Sequence, residues 1–367
     1  MKLQDSKNQI RTDDGKQTEL EQPKAAPISK QPFYRSFLPW KGDNRKLIVN
    51  KVICLIAGCV FLVCVALLIR EFLVLPAMAD SEQQDIKKLY YTSSEPSVGT
   101  QSAASQAPAA SAPPERDAQG RLIKFLALQK VNPAIVGWIK VPNTIIDLPA
   151  LQADAKDPEF YLSHDYNKNP SKYGSIFIDS HSSVEPGKSR SILLYGHALL
   201  SGRMFTELNK YKTFDFYKTT PVFTFDTIDS QSQWKVISVL LTNTLPDQGV
   251  PFNYLKTDFK SDSDFLNFVY QLRIRSLYNT GVSFNKDDQI VLLSTCSYEF
   301  TDFREVVVAR KVRAGESATV DVSKASYNNK VVYPDCWYKK NGGKTPVWPS
   351  TYEQAVKQKL ISWGEAA

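Results

Sequence analysis

Two kinds of hydrophobic pattern divide the chain. From Val52 to Ile69 the residues carry no charge and are almost wholly apolar. At about 1.5 Å per residue such a run makes a helix of about 27 Å, enough to cross the hydrocarbon core of a bilayer. Beyond residue 118 the apolar positions come in short runs instead, at 174–178, 191–195, 221–225, 234–241, 289–295 and 306–312, with turn residues between them. Short runs punctuated by turns predict the strands of a β-barrel or sandwich. Helical spacing shows in two places. Leu122, Ile123, Phe125, Leu126 and Leu128 fit a helix over 121–131 that Pro133 helps to end. Phe265, Phe268, Val269 and Leu272 fit a second, with Ser261 or Ser263 as its N-cap.

This patterning sets the organisation. Residues 1–46 are polar, contain Pro23, Pro27, Pro32 and Pro39, and read as a cytoplasmic tail. Residues 47–75 hold the transmembrane anchor. Residues 76–118, rich in Ser, Ala, Pro and Gln from Thr92 to Ala118, read as a flexible extracytoplasmic linker. Residues 119–313 form the main domain, and 314–367 a C-terminal extension of unassigned role with Trp337, Trp348 and Trp363. Those aromatics either pack on the main domain or meet wall or membrane. Lys41, Arg45, Lys46 and Lys51 precede the apolar run, whereas Arg70 beside Glu71 follows it, so the N-terminus belongs in the cytoplasm and the main domain outside. A cleaved signal peptide is the rival reading, because Ala77-Met78-Ala79 resembles a processing site. The length of the apolar run and of the tail before it favours an uncleaved anchor.

Composition narrows the function. At 43% hydrophobic and 11% aromatic the chain supports a packed core. A net charge of +7 over 367 residues, with scattered basic positions, excludes nucleic acid as a partner and leaves an anionic membrane or wall surface open. Zinc-type Cys/His spacing, a P-loop, a dinucleotide fingerprint and a G-x-S-x-G elbow are all missing, so no cofactor and no metal-ligand set is expected, while metal activation stays open. Cys54, Cys59 and Cys64 fall in the apolar run, where a thiol serves as a small hydrophobe. Cys296 and Cys336 are the exported pair, and a structural disulfide between them is the plain alternative to a reactive thiol.

The candidate chemistry sits at strand ends. Cys296 closes the run 289–295, and eight residues later Arg304 opens the next strand, so a short return loop can bring the two together. His197 follows the run 191–195 through Gly196. A thiolate nucleophile, an imidazole that gives and takes protons, and a cation for a developing oxyanion favour acyl transfer. His164 and His181 lack that setting. Arg310 is the nearest substitute for Arg304, but six residues along a strand place it about 20 Å away.

The strings L-S-T-C at 293–296, R-x-V-V-V-A-R at 304–310, Y-G-H at 195–197 with M-F at 204–205, Y-L-S-H-D-Y at 161–166 and G-S-I-F-I-D at 174–179 resemble a class B sortase, over roughly Ile139 to Arg313. The resemblance implies a mainly β fold with peripheral helices, an eight-stranded sortase barrel preceded by one transmembrane helix. It implies a membrane-anchored cysteine transpeptidase that cleaves a C-terminal sorting signal of NPxTN type in a surface protein. Cys296 would hold the thioacyl intermediate, His197 act as general acid and base, and Arg304 bind the substrate carbonyl or oxyanion. The acceptor would be an amine of a peptidoglycan precursor. Leu292 stands where the family often has threonine, and Ala198 where a polar residue often follows Y-G-H. Neither removes a reacting group. A pilin-polymerising sortase, a hydrolytic cysteine peptidase and a membrane-tethered binding or scaffold module are the competing functions.

Overall fold

A computed structural model describes residues 37–92 and 114–364, and the expectations placed on 1–36 and on 93–113 lie outside the described residues. The chain divides into two compact units, one ending at Ala77 and one starting at Met78. In the first, helix α1 (Arg45–Ile69) is capped by Asn44, whose side-chain oxygen accepts from the Leu47 N–H at 2.8 Å. No residue of α1 is buried, and its apolar window is long enough to cross a membrane. A helix apolar on every side has no stable place in water, so α1 fits a membrane anchor.

The second unit opens within α2 (Leu75–Thr92) and continues through α3 (Ile123–Val131), β1 (Ile135–Lys140), β2 (Asp147–Gln152), β3 (Ile176–Ile178) and β4 (Ser191–Tyr195). There follow α4 (Phe214–Thr219), β5 (Val222–Thr227), β6 (Gln233–Thr242), α5 (Asp262–Ile274), β7 (Tyr278–Asn279), β8 (Ile290–Ser297) and β9 (Phe303–Lys311). The C-terminal extension adds β10 (Ser326–Tyr327), α6 (Asp335–Asn341) and α7 (Tyr352–Lys357). Eight strands close a barrel in the order β1-β2-β3-β4-β8-β9-β6-β5, while β7 and β10 pair separately.

The apolar runs at 191–195, 234–241, 289–295 and 306–312 are strands buried on both faces. In β8, Val291 and Leu293 point into the barrel interior, and Ile290 and Leu292 into an outer layer. In β9, Val307 and Ala309 go inward, Val306 and Val308 outward. Period-two alternation thus sorts one continuous apolar run between two cores. The outer layer is completed by Phe265, Phe268, Val269 and Leu272 of α5. Each such side chain contributes about 1.5–3 kcal/mol by leaving water.

The sequence predicts a flexible linker over 76–118, yet through Thr92 this segment is α2. Ile86 and Tyr90, one helical turn apart, are buried with Leu122, Phe125 and Trp138. Tyr90 stacks on Trp138 at 4.2 Å and donates to Asp226 at 2.7 Å, and Lys124 meets the same carboxylate at 2.6 Å. Two buried positions in an otherwise polar stretch carry too little periodicity to stand out in the sequence.

The C-terminal extension packs along α5. Tyr352, Ala355 and Trp363 are buried in the outer layer. Tyr270 of α5 donates to the Pro349 carbonyl at 2.8 Å, Asn267 accepts from the Tyr352 N–H at 2.8 Å, and the Arg273 guanidinium lies 4.1 Å from the Trp363 ring.

Candidate active site

Strand order determines what meets at one end of the barrel. β8 and β9 are antiparallel, and their register sets Cys296 directly opposite Arg304. Opposed residues on antiparallel neighbours project from the same face, so thiol and guanidinium share one side of the sheet. On the other flank of β8 runs β4, in parallel, with Tyr195 level with Ser294. Two residues further on, His197 comes level with Cys296. The extension is held by the Gly196 N–H, which donates to the Ser294 carbonyl at 3.3 Å, and by the Thr295 hydroxyl, which donates to the Gly196 carbonyl at 2.8 Å. Cys296, His197 and Arg304 all line a cleft of about 520 Å³, together with Glu159, Asp179, Tyr195 and Tyr254 among others.

Two glycines allow this arrangement. A Cβ at Gly196 would lie 2.7 Å from the ring of Phe205, a fully buried residue whose N–H bonds the His197 carbonyl at 2.9 Å. Gly174, at φ +60°, brings its backbone so near the Leu162 carbonyl that a Cβ would sit 2.6 Å from it. That carbonyl is the partner of the histidine, 2.8 Å from Nε2 of His197. A carbonyl only accepts, so Nε2 carries a proton and Nδ1 is left to exchange one.

Around the three residues lies a set of neutral donors. Tyr195 donates to Asp179 at 2.9 Å, and burial followed by that carboxylate pushes its phenol far above the usual range. The Tyr254 hydroxyl lies 3.0 Å from that of Ser294, and burial raises it as well, against the opposing pull of Arg304. Both remain protonated at any physiological pH. Arg304 reaches the Phe303 carbonyl at 3.1 Å and makes no ion pair among the described residues, which leaves its charge available to the cleft. Arg310 is spent elsewhere: it is fully buried and bonds Glu316 at 2.7 Å.

The other sequence candidates separate clearly. His181 lines the cleft beside Asp179, with Nδ1 3.1 Å from its carboxylate, while His164 stacks on Phe160 at 3.9 Å and bonds the Phe160 carbonyl. Cys296 and Cys336 are both free thiols, so the structure holds no bridge between them. No group of three or more His, Cys, Asp or Glu residues suited to a metal ion occurs among the described residues.

No family model matches the chain. It is 33% identical over 172 residues to sortase B of Listeria monocytogenes, covering 47% of this chain and 66% of that one. It is likewise 33% identical over 192 residues to sortase B of Staphylococcus aureus, covering 52% of this chain and 75% of that one. The chain belongs to the sortase B family. Among solved structures, sortase B of Bacillus anthracis in complex with AAEK1 is similar over 66% of this chain and 100% of that one, with a TM-score of 0.54 and 29% identity. This sortase is therefore a cysteine transpeptidase on an eight-stranded barrel.

Two of the family-like strings now have a physical content that sequence reasoning missed. Y-L-S-H-D-Y contains Leu162, whose carbonyl orients the histidine of this sortase, and G-S-I-F-I-D contains both Gly174 and the Tyr195 partner Asp179. Tyr254 lies in an irregular loop, where no periodicity marks it.

Proposed function

We propose that this sortase joins a surface protein to the cell wall through a thioacyl-enzyme on Cys296. The reading rests above all on the register that opposes Cys296 to Arg304 while β4 delivers His197 to the same cleft. The Cys296 thiolate attacks the carbonyl of an NPxTN-type sorting signal, and the oxyanion that forms is met by the Arg304 guanidinium. The C–N bond then breaks, with His197 giving its Nδ1 proton to the departing amine. An amine of a peptidoglycan precursor attacks the thioester and passes its proton back to His197, which restores thiolate and imidazolium. Val52 to Ile69 anchors the enzyme, with the N-terminus in the cytoplasm and the catalytic domain, 119–313, outside. The placement of basic residues before the apolar run supports that orientation.

The test uses the full chain in detergent, an NPxTN-type donor peptide and a graded amine acceptor. Acceptor-linked product is expected to displace hydrolysed product as the amine rises, and His197→Ala and Cys296→Ala each to lose about 10³-fold or more in turnover. Hydrolysis alone at every amine concentration would make the protein a peptidase, and near-normal turnover in either variant would remove that residue from the mechanism.

A further inference from the structure

The loop joining β8 to β9 turns the nucleophile strand into the arginine strand, so its shape controls whether Cys296 and Arg304 stay opposed. Its own backbone supplies one long bond, from the Phe303 N–H to the Phe300 carbonyl at 3.4 Å, and the rest of its support comes from outside. Asp302 sits at φ 53°, a conformation that non-glycine residues seldom adopt, and its carbonyl is gripped by the Thr244 hydroxyl at 2.8 Å. Gln248 donates to the Thr301 carbonyl at 2.9 Å. Both grips come from the loop after β6, whose residues Thr244, Tyr254 and Leu255 form a wall of the cleft.

Helix α6 of the C-terminal extension touches both loops. Its first residue, Asp335, lies so close to Gly249 that a Cβ there would come within 3.0 Å of it. Its Lys340 donates to the Glu299 carbonyl at 3.3 Å and places its ammonium 4.8 Å above the Phe300 ring. Its Trp337 is stacked on Tyr333 at 4.2 Å and meets Phe300 at 6.3 Å. Phe300 in turn packs at 4.8 Å on Phe303, the neighbour of Arg304. The opposite side of the loop is tied to the nucleophile strand. The Glu299 carboxylate accepts from Ser297, next to Cys296, and from Lys212 at 2.7 Å. Tyr298 reaches the Ala198 carbonyl, next to His197, at 2.5 Å.

We infer that Trp337 and Lys340 are positioning residues for acyl transfer: from outside the barrel, α6 holds the β8–β9 loop in the shape that keeps the thiol, the guanidinium and the histidine in register. The inference rests on the roles proposed above for Cys296, His197 and Arg304. Neither residue reaches the substrate. Their loss lets the loop, and the strand ends it joins, drift by fractions of an ångström, which acts on kcat more than on peptide binding.

The experiment measures kcat and KM for the NPxTN-type peptide, and the melting midpoint, on the full chain in detergent. Trp337→Ala is expected to lower kcat about tenfold with KM within about twofold, since misplacement of reacting groups on the ångström scale costs up to about 10²-fold. Trp337→Phe, which keeps a stacking ring, is expected to recover most of that loss. Lys340→Met, an exposed change that leaves the stack in place, is expected to lower kcat about threefold at an unchanged midpoint. If Trp337→Ala fails to fold, Lys340→Met decides, and wild-type kcat in it overturns the inference. Where Trp337→Ala folds, wild-type kcat in both Trp337→Ala and Lys340→Met overturns the inference, as does a loss confined to KM. Cys296→Ala runs alongside. Activity in that variant would sink the nucleophile assignment, whereas an inert Cys296→Ala beside fully active Trp337 and Lys340 variants would sink the brace alone.

Discussion

Glu305 is the residue whose chemistry departs most from its surroundings. It neighbours Arg304 but points the other way, into the barrel interior shared by Val307 and Ala309, opposite Thr295 on β8 and Leu241 on β6. It is fully buried, and neither carboxyl oxygen has a hydrogen-bond partner. Burial raises it well above the usual carboxylate range; Lys212 works against that shift and Glu299 adds to it. Its folded value therefore exceeds its unfolded one, near about 4.3. Stability from this group is complete below that pH and is lost as pH climbs toward the folded value, because only the unfolded chain then sheds the proton. Glu305→Gln keeps the shape without the titration. The variant is expected to match the wild type at pH 4 and to exceed it in stability at pH 7, read as a higher melting midpoint. A gap that stays constant between the two pH values would contradict a protonated Glu305. Legibility at this scale follows the same division. Cys296, Arg304 and His197 could be named because turn and strand-end context marks them, whereas Glu305 reads in the sequence like any charge beside an arginine.

Elements were legible where burial on two faces concentrates the apolar residues. The runs at 191–195, 234–241, 289–295 and 306–312 correspond to β4, β6, β8 and β9, the inner staves of the site. β1 and β2 do not stand out as apolar runs because Gly137 interrupts one and Pro149 the other, which breaks the hydrophobic pattern that marks a strand. The helix read from Phe265, Phe268, Val269 and Leu272 is α5, and Ser261 is its N-cap, accepting from the Asp264 N–H at 3.1 Å. Asp262 and Asp264 in the first turn add favourable charge at the positive end of the helix. Ser261→Ala is expected to cost about 1 kcal/mol of stability, measured by thermal or denaturant unfolding, with kcat unchanged. A loss of catalysis at intact stability would instead make this end of α5 part of the substrate groove. Over 76–92 the helix α2 stands where a flexible linker is expected, for the reason opposite to β1: α2 buries two residues a turn apart, Ile86 and Tyr90, and the polar residues between them mask the face.

At the scale of the whole molecule, function comes from topology rather than from any local motif. His197 and Cys296 lie far apart along the chain and become neighbours because β4 and β8 pair in parallel, which requires the intervening helices and strands to cross from one end of the barrel to the other. Cys296 and Arg304 need only a hairpin. The first juxtaposition could be reached from the sequence through resemblance to a family, and the second through strand logic alone. The C-terminal extension was opaque, since its aromatics fit packing and surface contact equally well until α5 was seen beneath them. The proposed carrier of the acyl group in this arrangement is the sulfur of Cys296. The direct measurement is the intact mass of the full chain after brief exposure to the donor peptide without amine, followed by fragmentation to locate the modification. The account predicts a mass gain equal to the N-terminal part of the cleaved peptide, placed on Cys296, discharged by added amine and missing in Cys296→Ala. An acyl group on any other residue, or product formed with no acyl-enzyme at any time, would contradict it.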